Sequence, residues 1–302
     1  MMGAMNPRPL RRGIPTSAAA VLAGVLALGA CAGSPAPAPV SPSATATAGT
    51  ETTTDATTDA GAAPSEPGRA PVALASGAVA FDVVPPAPGT GTASPARVGP
   101  ADDGTAVLTV SPGDEPVSLV LTTPGSLTGN ADGTVTVLDT AGTAVGGLSA
   151  PGVTDGGTGP GDASPLPRAT LTVTGPTTAE LAVVRPAGEP SESGSLAAVP
   201  DGHAVTTTLG TTALRSAGWG DREGGLSLAV DATAWARTAG VAGSDTLWAQ
   251  VVAAEPDADV PGMHDQLVCH ALGAPDKATW NLEPWRPDVG LVAVLAARCN
   301  PT

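Results

Sequence analysis

The chain has no tyrosine, one phenylalanine and three cysteines in 302 residues, and only 14% of its residues are charged. So little ring mass excludes an aromatic core over most of its length. All five tryptophans fall between Trp219 and Trp285, so the best-specified core is expected there. Cations are scarce: 13 basic residues face 28 acidic ones, a formal charge of -15. Arg8, Arg11 and Arg12 lie in an N-terminal leader, which leaves 10 basic residues against 28 acidic and a net of -18 in the remainder. That balance excludes nucleic acid and anionic lipid as electrostatic partners, because phosphate neutralisation needs a basic surface. No G-x-S-x-G elbow, H-E-x-x-H helix or C-x-x-C pair occurs. What the chain has in surplus is 39 glycines and 32 prolines without a period, which points to long irregular segments.

Residues 18–30 (AAAVLAGVLALGA) follow the three arginines. A bilayer-spanning helix needs about 20 apolar residues, so this run fits the apolar region of a signal peptide instead. It ends at Leu28-Gly29-Ala30-Cys31. That ending resembles the lipobox of bacterial lipoproteins. The resemblance implies removal of residues 1–30, diacylglycerol on the Cys31 thiol with acyl chains such as palmitate, and anchoring on the extracellular face of the cell membrane. Residues 31–70 are Ala, Pro, Ser, Thr and Gly with no apolar face at either period, and read as a disordered tether.

The rest reads as a multidomain chain: an all-β sandwich-like module over 71–200, then a small disulfide-linked α+β domain over 201–302. Strands are predicted at 78–84, 106–110, 117–122, 134–139, 169–174 and 179–184, with Asp103-Gly104 and Asp132-Gly133 supplying turn chemistry before two of them. Val117-Ser118-Leu119-Val120-Leu121 looks buried on both faces. In the last third, 204–208 and 226–230 are predicted strands. Asp231 is placed as the N-cap of a helix over 232–237, and Asp245 as the N-cap of one over 246–254. A short helix is predicted at 263–272. Residues 279–282 read as a strand, and 291–296 as a strand with a helix as the alternative.

Four motifs lie in this third: Trp219-x-x-Arg222 with Gly224–Val230, Gln266-x-x-Cys269-His270-Ala271, Trp280 to Gly290 (WNLEPWRPDVG), and Cys299-Asn300-Pro301. Together they resemble an uncharacterised domain of exported actinobacterial proteins, over about residues 203–302. The resemblance implies a domain and an exported setting, and no reaction.

Cys269 and Cys299 are the only cysteines besides Cys31, and outside the cytosol a pair is expected to bond. The rival is a metal site on His264, Cys269, His270 and Cys299; its spacing is poor, because adjacent Cys and His diverge on a helix. No metal and no cofactor is expected. His264-Asp265 resembles the catalytic pair on a helix of secreted phospholipases A2, which implies a water-activating histidine with calcium. That family's flanking cysteines and glycine-rich calcium loop are not recognisable here. Trp280 and Trp285, with Glu283 and Arg286 as polar anchors, form a candidate platform for a sugar or peptide, against an internal Glu–Arg pair fixing a turn. The reading that follows is a non-catalytic binding or scaffolding protein, tethered to the membrane through Cys31, with cell-wall polymer or an envelope protein as partner. The alternative is an extracellular hydrolase using His264 or His270 with Asp265 or Glu283.

Overall fold

The computed structural model describes residues 70–85, 96–111, 115–154, 168–184, 204–222 and 224–302. The leader, Cys31 and the tether up to residue 69 lie outside the described residues. The strands in chain order are β1 (Val72–Ser76), β2 (Val79–Val84), β3 (Arg97–Pro100), β4 (Ala106–Val110), β5 (Val117–Leu121), β6 (Ser126–Gly129), β7 (Val135–Leu138), β8 (Ala144–Leu148), β9 (Gly152–Thr154), β10 (Arg168–Gly175), β11 (Thr178–Val184), β12 (Ala204–Gly210), β13 (Leu214–Arg222) and β14 (Gly225–Ala232). Helices α1 (Ala234–Thr238), α2 (Gly240–Ala254) and α3 (Met263–Gly273) follow, then β15 (Trp280–Leu282) and α4 (Leu291–Ala296).

Strands β1-β2-β5-β11-β10 form one sheet, and β3-β4-β12-β8-β7-β6 with β9 beside β12 form a second. All described pairings in both are antiparallel. Their inner faces share one aliphatic core around Phe81, Leu108, Leu119, Leu148 and Leu181. The six predicted strands all form. β5 is not buried on both faces: Val117, Leu119 and Leu121 are buried while Ser118 and Val120 are half-exposed, so the period of two holds.

The strand predicted at 204–208 pairs with strands of the preceding module. β12 forms where a strand was predicted, but it belongs to the second sheet, between β4 and β8. Val205, Thr207 and Leu209 are buried. The sandwich thus continues to Gly210. Beyond it, β13-β14-β15 form a third, antiparallel sheet packed against α1, α2 and α3 through Leu228, Val230, Trp280, Leu247 and Leu267. The described residues from 70 to 302 fall in one compact unit.

The reason is how α2 begins. Four N–H groups at a helix start lack intrahelical partners. Here Val241 N–H donates to Asp132 Oδ2 at 2.7 Å and Ala242 N–H to Thr134 Oγ1 at 3.3 Å, across 109 and 108 residues. Gly240 has φ +56°, and a Cβ there would fall 2.1 Å from Asp132 Oδ2. α2 then lies flat on β8, where a Cβ on Gly147 would meet the Ala242 methyl at 2.7 Å. Neither predicted cap is used. Asp231 sits in β14 and pairs with Arg237 at 3.2 Å, while Thr233 caps α1 by accepting from Ala236 N–H at 3.2 Å. Asp245 falls inside α2. Burial opposes the Asp132 carboxylate, but hydrogen bonds from Val241 and Thr134 outweigh it and hold its pKa below the ordinary value. Asp132→Ala is expected to lower stability by about 0.5–2 kcal/mol, with faster amide exchange at Val241 and Ala242. An unchanged denaturation midpoint would show the cap to be idle.

Candidate functional site

Positions 245, 248, 249 and 252 of α2 follow the i, i+3, i+4, i+7 spacing of a single helix face. They line an open cleft of about 460 Å³ with Leu138, Gly142 and Thr143 of the β7–β8 turn, and with Asp259 and His264. The turn is held by Asp139, whose Oδ1 accepts from Ala141 N–H at 2.8 Å and Thr143 N–H at 2.9 Å. One wall therefore comes from the sandwich and the other from the helical layer.

Trp248 supplies the aromatic part of the wall. The His264 ring is tilted 52° against it, with centroids 5.2 Å apart. Asp245 is half-buried and accepts from Thr136 Oγ1 at 3.2 Å. Burial pushes its carboxyl above the ordinary value and the nearby Asp132 charge adds to this; Thr136 and His264 pull the other way. Asn130 Nδ2 donates to Thr134 Oγ1 at 3.0 Å and Thr136 Oγ1 at 2.9 Å, joining the α2 cap to Asp245. The cleft thus offers an aromatic face, two carboxylates and one imidazole.

The residues singled out from sequence are scattered. His264 reaches the cleft, but among the described residues it has no hydrogen-bond or ion-pair partner, and Asp265 does not bond it. Consecutive residues on a helix diverge, which keeps this pair apart. His270 is 5% exposed, and its Nε2 lies 3.1 Å from the Asn281 carbonyl oxygen. With that carbonyl as acceptor, Nε2 carries the proton and Nδ1 is left buried without a partner. Burial lowers the His270 pKa; the Asn281 bond opposes this, and the charges of Lys277 and Arg286 reinforce it. A depressed histidine pKa contributes stability that is present above the ordinary 6.5 and lost as pH falls through the folded value. The melting midpoint should therefore drop between pH 7 and pH 5, and His270→Gln should flatten that slope. An equally steep slope in the variant would acquit His270.

The joint Trp280/Trp285 platform does not form. Trp280 is 0% exposed, donates from Nε1 to Ala274 O at 2.9 Å and carries the Arg237 guanidinium 4.9 Å from its ring centroid. Trp285 is 47% exposed, with Arg286 stacked 4.5 Å from its centroid. Glu283 and Arg286 are 2% and 6% exposed and pair with each other, so neither is available as a surface anchor. The Gln266 amide donates to Glu283 O at 3.0 Å and accepts from Glu283 N–H at 2.8 Å, extending the ladder beyond β15 as a further strand would. Cys269 and Cys299 form the expected disulfide, which uses both sulfurs of the rival metal site.

Sequence reasoning missed Trp248, Asp245 and Asp259 as a site. The helical spacing of 245 and 248 was a usable signal, but the sandwich wall of the cleft carries no local mark.

Residues 214–302 match a family described as "Protein of unknown function (DUF2599)". Uncharacterized proteins of Mycobacterium bovis and Mycobacterium tuberculosis are 46% identical over 69 residues, 22% of this chain and 47% of theirs. An uncharacterized protein of Mycobacterium leprae is 43% identical over 65 residues, 20% of this chain and 53% of its own. The chain thus spans about half the length of the curated relatives it matches. No solved structure matches it.

Proposed function

We propose that this chain is a lipid-anchored protein of the outer face of the cell membrane that acts by binding, and that the cleft beside α2 holds its ligand. The partner is a cell-wall polymer or an extended segment of an envelope protein. One observation carries the choice of binding over catalysis: the imidazole that reaches the cleft, His264, is packed on Trp248 and has no hydrogen-bonded carboxylate among the described residues. A general base is normally oriented by such a partner. The lipobox-like ending at Cys31 supports the anchor, and the buried Cys269–Cys299 bond accords with an oxidising setting. Among the described residues no helix is long and apolar enough to cross a membrane.

The test is capture of envelope components by the full chain beside its Trp248→Ala and Asp245→Asn variants. Loss of a captured polymer or protein in both variants, at unchanged melting midpoint, is the expected result. Ester or amide turnover that disappears in His264→Ala, with no capture by any form, would reverse the reading in favour of a hydrolase.

A further inference from the structure

The two edges of the third sheet are treated differently. At β15 the edge is continued by the Gln266 amide and covered by α3. At β13 only the first residues are covered, where Gln250 Oε1 accepts from Ala213 and Leu214 N–H, both at 2.9 Å. From Ser216 to Arg222 the strand pairs with β14 on one side, and among the described residues no strand pairs with its other side. Arg215, Ser216, Gly218, Gly220, Asp221 and Arg222 are all exposed. Open edges in monomers are usually blocked by proline, by a bulge or by charged side chains. β13 has no proline, and its register shift lies at Leu214/Ser216, before the open stretch.

Its charges do not block self-pairing either. They stand at equal distances from Gly218 with opposite sign: Arg215 three residues before it, Asp221 three after. Ala217 and Trp219 flank it in the same way, small against large. We propose that β13 pairs with β13 of a second copy, antiparallel and two-fold about Gly218, making one continuous six-stranded sheet. In that register Ala217 lies opposite Trp219 of the second copy, and Arg215, the residue inserted at the register shift, comes beside its Asp221, each pair occurring twice, as an isologous contact requires. Arg215 keeps its 2.7 Å bond to Asp103 and is 46% exposed, so it can serve both carboxylates. A Cβ on Gly218 or Gly220 would meet no atom within 4 Å, so a side chain placed there has room on the face of the sheet. In a chain of net charge -15 this edge carries two arginines and one aspartate, so it does not add to the repulsion between copies. The inference stands apart from the cleft and does not depend on its ligand.

Register is the decisive test. In the full chain, Gly218→Cys places two thiols directly opposite, with Cα atoms about 4.5–5.5 Å apart, within disulfide reach. Gly220→Cys places them four residues out of line, roughly 14 Å apart, beyond it. Mild oxidation should link the first at least about tenfold faster than the second. Arg215→Asp and Asp221→Arg should each suppress the link at 218, and their combination should restore it. No link at 218, or an equal one at 220, overturns the proposal. Both cysteines sit in open space, so misfolding does not cloud the result.

Discussion

Arg286→Ala is expected to lower the stability of the fold by about 3–5 kcal/mol, the scale for stripping one member from a buried ion pair. Arg286 and Glu283 lie three residues apart across Pro284, and both are buried. The guanidinium also donates from Nη1 to Pro301 O at 3.3 Å and stacks on Trp285. One side chain thereby fixes the turn after β15, the last residues of the chain and a half-exposed indole. Its removal leaves the Glu283 carboxylate in an apolar site without a counter-ion, and that desolvation cost dominates the loss. An apolar pair of similar volume should recover most of it: Glu283→Leu with Arg286→Met is expected near the parent in urea unfolding. A loss below about 1 kcal/mol in the single variant would mean that water reaches Glu283.

Replacing both Cys269 and Cys299 by serine is expected to cost roughly 3–4 kcal/mol on the chain-entropy account of a closed loop of this size. The bond joins α3 to the terminus across 30 residues, and both sulfurs are buried with Val294 of α4. Arg298 and Cys299 hold φ of +54° and +68° in succession, a backbone that side-chain-bearing residues seldom adopt. Without the covalent link, it is held by the Arg298, Cys299 and Asn300 N–H bonds back to α4 and residue 297 and by the Arg286–Pro301 contact. The loss should therefore appear first as hydrogen exchange in α4 and 297–302, while α2 stays protected. Both changes loosen the Pro301 contact, so combining Arg286→Ala with the serine pair should cost less than the sum. Strict additivity would show that the two devices act on separate regions.

The sandwich was legible where alternation and Asp-Gly turns coincided. Asp103-Gly104 leads into β4 and Asp132-Gly133 into β7, with positive φ at Asp103, Gly104 and Gly133. The disulfide was legible from cysteine scarcity together with the exported setting that the leader implies. The start of α2 was not, because its cap comes from a turn 109 residues earlier and Gly240 hides the beginning of the helix. The place of β12 beside β4 and β8 was not legible for a related reason: a strand's own residues do not say which sheet it joins. Residues 291–296 (LVAVLA) formed a helix, the less favoured reading, because a short apolar run has no readable period. The tryptophans were recognised as important, but the face each presents depended on the placement of β15. The cleft was illegible as a unit, since one wall is a sandwich turn and the other a helix face.

The acceptors that Asp132 and Thr134 lend to α2 bear on how this chain can be cut. A fragment starting at residue 214 keeps the helix but loses its lid of oxygens, and it bares the methyl-lined strip that rests on β8. Such a piece would be prone to fray at Gly240 and to clump. Heating the intact chain should instead give one calorimetric peak, the sandwich and the helical layer melting together.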